Sequence, residues 1–283
     1  MIPRVLVIAG SDSGGGAGIQ ADLKTVTMLG GYASTAITAL TAQNTLGVFG
    51  VSAVEPSFVR DQIRVVLEDI GADAIKTGML YSRDIVRVVA AELESRATGI
   101  PVIVDPVMVA KGGAALLERS AQTALIERLF PLAALITPNV PEAEALTGLH
   151  AEDPDDLPRL AERLLALGPA AVLVKGGHLE GDTVVDWLLT VDGLAHRFEG
   201  PRVRTRSSHG TGCTLASAIA AGVAEGYTLV SAIERARDYV VRALKGAPGL
   251  GQGHGPLHHG WPLAEPAEPA PTQNVPTPGR LLN

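Results

Sequence analysis

The stretch Val5-Leu6-Val7-Ile8-Ala9 runs without a break into Gly10-Ser11-Asp12-Ser13-Gly14-Gly15-Gly16-Ala17-Gly18, and a helical pattern follows. The first run is apolar throughout, with no polar alternation, as expected of a parallel strand covered by helices on both faces. Working outward, the same reading applies to Ala72–Lys76, Val102–Asp105, Leu135–Thr137 and Ala171–Lys175, and four of these five runs are apolar almost throughout. Helical segments lie between them. Pro56 opens Pro56–Ile70 and Gly71 ends it, while Ser82 with Asp84 caps Ser82–Glu94. Val184–Thr190 and Ala195–Phe198 are joined by Asp192-Gly193, a hairpin signal, and two helices follow at Gly212–Gly226 and Thr228–Lys245. The repeating strand–helix order predicts a three-layer α/β/α domain with a mostly parallel central sheet over residues 1–260.

After Gly246 the character changes. Residues 247–283 hold eight of the nineteen prolines, and Pro262–Pro278 is a low-complexity Pro/Ala/Glu segment. Residues 261–283 are therefore expected to form a disordered tail.

Composition narrows the function classes. The chain has 283 residues, 46% of them hydrophobic, and a formal net charge of −7. No Lys/Arg block offers a nucleic-acid footprint. The longest apolar stretch, near Leu215–Ala224, is well short of the roughly 18 residues of a membrane span. The start lacks the length and cleavage site of a signal peptide. One cysteine, Cys213, permits no intrachain disulfide, which fits the cytoplasm.

In an open parallel sheet, ligands bind outside the carboxyl ends of the strands, and the unusual polar clusters follow strands. In Gly10–Gly18, glycines allow close backbone approach to a ligand, although a tight turn explains them equally. No window of this loop completes G-x-G-x-x-G, which disfavours a dinucleotide oxidoreductase. Asp22, early in the following helix, reads as a dipole partner or a site residue. Gln43-Asn44, after the strand-like Ser34–Leu40, offers either a plain turn or a paired donor and acceptor for the polar edge of a ligand. Asp105 ends a strand and suits a hard cation such as Mg²⁺. Asn139 and Glu142 have capping-box spacing, and the same helix N-terminus would face a phosphate. Lys175, before Gly176-Gly177-His178, places an ammonium at the sheet rim for phosphate contact. In His209-Gly210-Thr211-Gly212-Cys213-Thr214, consecutive N–H groups at a helix start form an anion cradle. Cys213 is there either a small buried hydrophobe or a thiol acidified by the helix dipole. His254, His258 and His259 lack zinc-site spacing.

Taken together, Ala9–Lys24, Thr38–Asn44, Lys76-Thr77-Gly78-Met79-Leu80, Val104-Asp105-Pro106-Val107-Met108, Thr137-Pro138-Asn139-x-x-Glu142, Lys175-Gly176-Gly177-His178 and His209–Cys213 resemble the hydroxymethylpyrimidine/phosphomethylpyrimidine kinases. The resemblance runs from about Val5 to Gly260. It implies a ribokinase-like fold, ATP with Mg²⁺, a homodimer, and two successive phosphorylations in thiamine biosynthesis: of the hydroxymethyl group, then of the monophosphate. By position it implies that Gln43 reads the pyrimidine, with Gly10, Asp22, Met79 and Val107 enclosing it. Asp105 and Glu142 would organise Mg²⁺, Asn139 and Lys175 would contact ATP phosphates, and Gly210, Thr211, Gly212 and Cys213 would form the anion hole. Most ribokinase relatives carry an aspartate base where this chain has Cys213, and Ser13-Gly14 stands where many members have Pro-Ser. The nearest rival is a pyridoxal kinase of the same branch; a catalytically silent nucleotide-binding regulator is disfavoured by Asp105, Lys175 and Cys213.

Overall fold

The computed structural model describes residues 1–108 and 116–263. Nine strands form one sheet in the order β3-β2-β1-β4-β5-β6-β7-β8-β9. They are β1 (Arg4–Asp12), β2 (Tyr32–Asn44), β3 (Gly47–Ala53), β4 (Ala74–Thr77), β5 (Val102–Val104), β6 (Leu135–Ile136), β7 (Ala171–Lys175), β8 (Thr183–Thr190) and β9 (Ala195–Pro201). The six strands from β2 across to β7 are mutually parallel. β3 closes one edge antiparallel to β2, and the β8–β9 hairpin closes the other.

Eight α-helices cover this sheet among the described residues: α1 (Gly18–Met28), α2 (Pro56–Asp69), α3 (Arg83–Arg96), α4 (Arg119–Ala124), α5 (Val140–Thr147), α6 (Leu157–Leu165), α7 (Thr211–Ala224) and α8 (Leu229–Lys245). Successive side chains of a strand face opposite ways, and both ways are apolar here. Val5, Val7, Ile103 and Leu173 pack in the core beneath α1, α7 and α8. Leu6, Ile8, Val104 and Val172 pack on the opposite face with α2, α3, α5 and α6. This double burial is why the strand sequences read as unbroken apolar runs, and it gives the expected three layers.

Local signals act as the sequence suggests. Ser82 caps α3 by accepting from the Ile85 N–H, and Thr228 caps α8 by accepting from Ser231. Gly71 and Gly193 take positive φ at the end of α2 and in the β8–β9 turn. Two readings need correction. β2 continues through Gln43-Asn44 rather than turning there, because β3 pairs along it. β3 escapes the sequence reading because Phe49 to Ala53 are all exposed, so no buried face imprints a period on it. At the other end, Trp261 begins a 3₁₀ turn, Trp261–Leu263, and packs against Tyr239 with the rings tilted by 46° and their centroids 5.8 Å apart. The domain thus continues past residue 260; the remainder of the expected tail, 264–283, lies outside the described residues.

Candidate active site

The carboxyl ends of the parallel strands converge on a cleft of about 840 Å³, within the range of small-molecule sites. Gly10, Gln43, Met79 and Val107 line it near β1, β2 and β4; Val184, Val203, Val240 and Leu244 line it near β8, β9 and α8; Asp105, Asn139, Glu142, Lys175 and Gly210 to Cys213 lie between.

The β1–β4 side is a narrow apolar slot. Ala39, Met79 and Leu116 form a small buried cluster flanked by Val107. Gly10 packs closely there: a Cβ would sit 2.9 Å from Met79 Sδ and would push that side chain aside. The Thr38 hydroxyl holds the Met79 carbonyl at 2.7 Å. At the polar end of the slot, Gln43 Oε1 lies 3.1 Å from Thr41 Oγ1, and Gln43 Nε2 lies 3.2 Å from His209 Nε2.

The centre is charged. Lys175 Nζ and Thr137 Oγ1 donate to Asp105 Oδ1 at 2.9 and 3.0 Å. Burial works against the Asp105 charge, but Lys175 and Lys76 overcome it and hold the carboxyl below its usual range. Lys175 is held above its usual range because Asp105 and Glu142 outweigh its burial. Asn139 and Glu142 complete a capping box on α5, each receiving the other's backbone N–H at 2.9 Å. Burial, with Asp105 adding to it, pushes Glu142 up to about 7.

The loop before α7 supplies the cradle. Gly210, in the left-handed region at φ +84°, is the N-cap of α7 and offers no capping side chain, so the first N–H groups face outward unclaimed by one. A Cβ on Gly210 would collide with the Gly16 carbonyl, and one on Gly212 would sit 3.2 Å from Lys175 Nζ and 3.5 Å from Asp105 Oδ2. The cradle therefore lies directly against the Lys175–Asp105 pair. Thr211 turns its hydroxyl back to the Ser208 carbonyl at 2.8 Å.

Two expectations change. Asp22 does not touch the cleft: it is fully buried, not among the lining residues, and past the first turn of α1. Its oxygens accept from Lys76 Nζ at 2.9 and 3.0 Å and from Ser217 Oγ at 2.6 Å. Asp22 is thus neither a dipole partner nor a wall of the slot but the anchor of Lys76, which does line the cleft. Cys213 is not acidified. Burial, with Asp22 and Asp105 adding to it, pushes the thiol up to about 11 despite Lys76.

Three side-chain groups escaped the sequence reading. Lys76 ends an apolar run, the same signal that singled out Lys175. Asp12 and His209 sit inside motifs chosen for their glycines; Asp12 accepts from the Gly14, Gly16 and Ala17 N–H groups and contacts His209 Nε2 at 2.9 Å. Asp186 accepts from the Gly176 N–H at 2.9 Å and pairs with Arg237, linking the turn after β7 to α8; no local pattern marks it.

Residues 12–258 match the family described as phosphomethylpyrimidine kinase. The chain belongs to that family. It is 49% identical over 263 residues to a hydroxymethylpyrimidine/phosphomethylpyrimidine kinase of Streptomyces coelicolor, covering 93% of this chain and 96% of that protein. It is 55% identical over 256 residues to a thiamine biosynthesis bifunctional protein of Geobacter sulfurreducens, covering 90% of this chain but only 52% of that longer protein. Among solved structures, phosphomethylpyrimidine kinase of Clostridium difficile superposes with TM-score 0.75 at 42% identity, covering 86% of this chain and all of the other. A pyridoxal kinase of Staphylococcus aureus in complex with AMP-PCP and pyridoxal gives 0.84 at 32%, covering 92% and 94%. The chain is a kinase with the fold of these enzymes.

Proposed function

We propose that the protein transfers the γ-phosphoryl group of ATP to 4-amino-5-hydroxymethyl-2-methylpyrimidine, and then a second phosphoryl group to the resulting monophosphate, in thiamine biosynthesis. The observation that carries this reading is the meeting in one cleft of an apolar slot ending in a carboxamide with a carboxylate, an ammonium and an open anion cradle. The slot accepts a flat ring, and Gln43 offers the donor and acceptor that match the ring nitrogen and amino group of an aminopyrimidine. Gly10, Met79 and Val107 enclose the ring. Lys175 and Asn139 face the nucleotide phosphates, and the N–H groups of Gly210 to Cys213 receive the charge that develops on the transferred group.

Asp105 and Glu142 are the residues that would hold Mg²⁺. The donor set fits: both are carboxylates, and Asp105 raises the Glu142 pKa, a repulsion that a hard cation relieves. Among the described residues no three His, Cys, Asp or Glu groups cluster as a metal site, so the cation would rely on nucleotide phosphates and water for its other ligands. It would supply neutralisation of phosphate charge.

The pyridoxal reading is weaker on identity, 32–35% to pyridoxal kinases of known structure against 45–55% to relatives named for pyrimidine phosphorylation or thiamine biosynthesis. A homodimer is supported by the outer edge of β3, a strand paired on one side only that carries the exposed Phe49 and Val51. A cytoplasmic location is supported by the single cysteine, Cys213, which fits a reducing compartment; no helix among the described residues is long and apolar enough to cross a membrane. The test is incubation with MgATP and either the pyrimidine alcohol or pyridoxal, following ADP and phosphorylated products. Monophosphate followed by diphosphate is expected; preference for pyridoxal, or arrest at the monophosphate, overturns the reading.

A further inference from the structure

We infer that His209, fixed by Asp12, sets the orientation of the Gln43 carboxamide and so determines which heterocycle the slot accepts. The inference rests on the proposed pyrimidine reading and deepens it.

Asp12 is a carboxylate acceptor. Burial opposes its charge, but His209 and the Ala17 and Gly14 N–H groups bring its carboxyl below the usual range. An ionised carboxylate only accepts, so the proton between Asp12 Oδ2 and His209 Nε2, 2.9 Å apart, belongs to the imidazole. His209 Nε2 is therefore a donor. The same nitrogen lies 3.2 Å from the Gln43 terminal nitrogen, which also only donates. Two donors cannot face each other at that distance without penalty.

The two ends of a carboxamide have the same shape, and their identity follows from their partners. Turning the Gln43 amide over resolves the conflict. Its oxygen then shares the His209 N–H with Asp12, and its NH₂ faces Thr41 Oγ1, a hydroxyl already donating to the Ser11 carbonyl at 3.0 Å and able to accept. One N–H and one lone pair of Gln43 remain for the ligand, in an order imposed by His209. That order matches an acceptor ring nitrogen beside a donor amino group. A pyridoxal ring has no amino group beside its nitrogen, so its recognition depends less on this order.

His209 is itself immobilised. Its backbone N–H donates to the Gly255 carbonyl at 3.1 Å, and a Cβ on Gly16 would sit 2.6 Å from its Cδ2. The residue thus joins the glycine-rich loop, the Gln43 amide and the cradle that begins at Gly210. It acts through Gln43, as a positioning residue.

The experiment compares His209→Phe, which keeps a ring against Gly16 but no hydrogen bond, with His209→Gln, whose terminal N–H can still reach Asp12. His209→Phe should raise KM for the pyrimidine alcohol about tenfold, the loss of roughly one well-made hydrogen bond, with KM for MgATP within about twofold. Pyridoxal turnover should fall less than pyrimidine turnover, and His209→Gln should recover most of the loss. In the double variant with Gln43→Ala, His209→Phe should add nothing further. A purely structural role would instead damage both substrates and add to Gln43→Ala, and that result overturns the inference. So does a His209→Phe enzyme indistinguishable from wild type. If His209→Phe does not fold, Asp12→Asn read by the same ratio of KM values decides. A wild-type enzyme inactive on the pyrimidine is a different failure: it removes the functional reading, and the double-variant comparison on the heterocycle it does phosphorylate still decides whether His209 acts through Gln43.

Discussion

If Cys213 is the base of the first phosphorylation, that step should accelerate with pH across the neutral range while the second should not. The perturbation is pH itself, between about 7 and 9. Burial holds the thiol near 11, so the thiolate is the minor form throughout this interval and its population rises about tenfold per pH unit. The sign is fixed by the direction of the shift: a raised thiol pKa makes the basic form scarce at neutrality, so activity rises with pH. The first acceptor is an alcohol that must lose a proton as the bond to phosphorus forms. The second acceptor is a phosphate monoester already ionised above its second pKa of about 6. Single-turnover rates at saturating MgATP, started separately from the alcohol and from the monophosphate, keep product release from hiding the chemistry. The expected log rate of step one has a slope near +1 per unit, and that of step two is nearly flat. Cys213→Ser should abolish the slope and lower step one far more than step two. Cys213→Asp, whose carboxyl starts from a far lower pKa than the thiol, should retain more step-one rate than the serine variant at pH 7 and flatten the slope. Equal pH dependence for both steps, or a slope that survives Cys213→Ser, refutes the base. Catalysis would then rest on the backbone cradle and charge placement alone, as a loose phosphoryl transition state permits.

Three further outcomes are expected. Lys76→Met leaves Asp22 buried without its cation and should cost about 3–5 kcal/mol in denaturant unfolding, whereas Lys76→Met combined with Asp22→Leu should recover much of it; equal stabilities for the single and double variants would show that the pair is not coupled. Gln43→Ala should raise the pyrimidine KM by the equivalent of roughly 1–3 kcal/mol with little change for ATP, measured by initial rates; equal effects on both ligands would make Gln43 structural. A chain ending at Leu263 should keep its melting temperature and activity, since Trp261 still donates to the Tyr239 carbonyl at 3.2 Å; a large drop in either would place residues 264–283 in the fold.

How much of this was legible in the sequence depends on the range of the interaction. β7 is found at its residue limits, and β1, β4, β5 and β6 within three residues at either end, because each is a local apolar run whose double burial leaves a local mark. The capping box of Asn139 and Glu142 spans three residues and was equally readable. Lys175 was found because its charge ends an apolar strand beside glycines. Lys76 satisfies the same rule but lies one layer deeper, and the partner that makes burial tolerable is Asp22, 54 positions away. His209 and Asp12 are 197 positions apart, and Ser217 and Asp22 are 195 apart; no window of sequence contains either pair.

The acidified alternative for Cys213 fails for the same reason, and it shows what the long-range pairs do. A cysteine in the first turn of a helix reads locally as acidified, since the helix N-terminus is all that the neighbouring sequence supplies. In the folded chain the thiol, half-buried in the cleft wall, lies near three charges drawn from α1, β4 and the end of β5. Lys76 lowers its pKa, while Asp22 and Asp105 raise it on top of a larger burial penalty. Asp22 therefore acts on Cys213 twice, directly as a like charge and indirectly by holding Lys76 in place at 2.9 Å. Asp22→Asn removes the like charge, which favours the thiolate, and its amide oxygen can still accept from Lys76 Nζ and keep that cation beside the thiol. Asp22→Asn should accordingly displace the first-step pH profile toward lower pH while costing stability, and it should leave the second step's profile where it was. An unshifted first-step profile in a folded Asp22→Asn enzyme would mean that Cys213 does not feel this pair, and the electrostatic case for its role would fail with it.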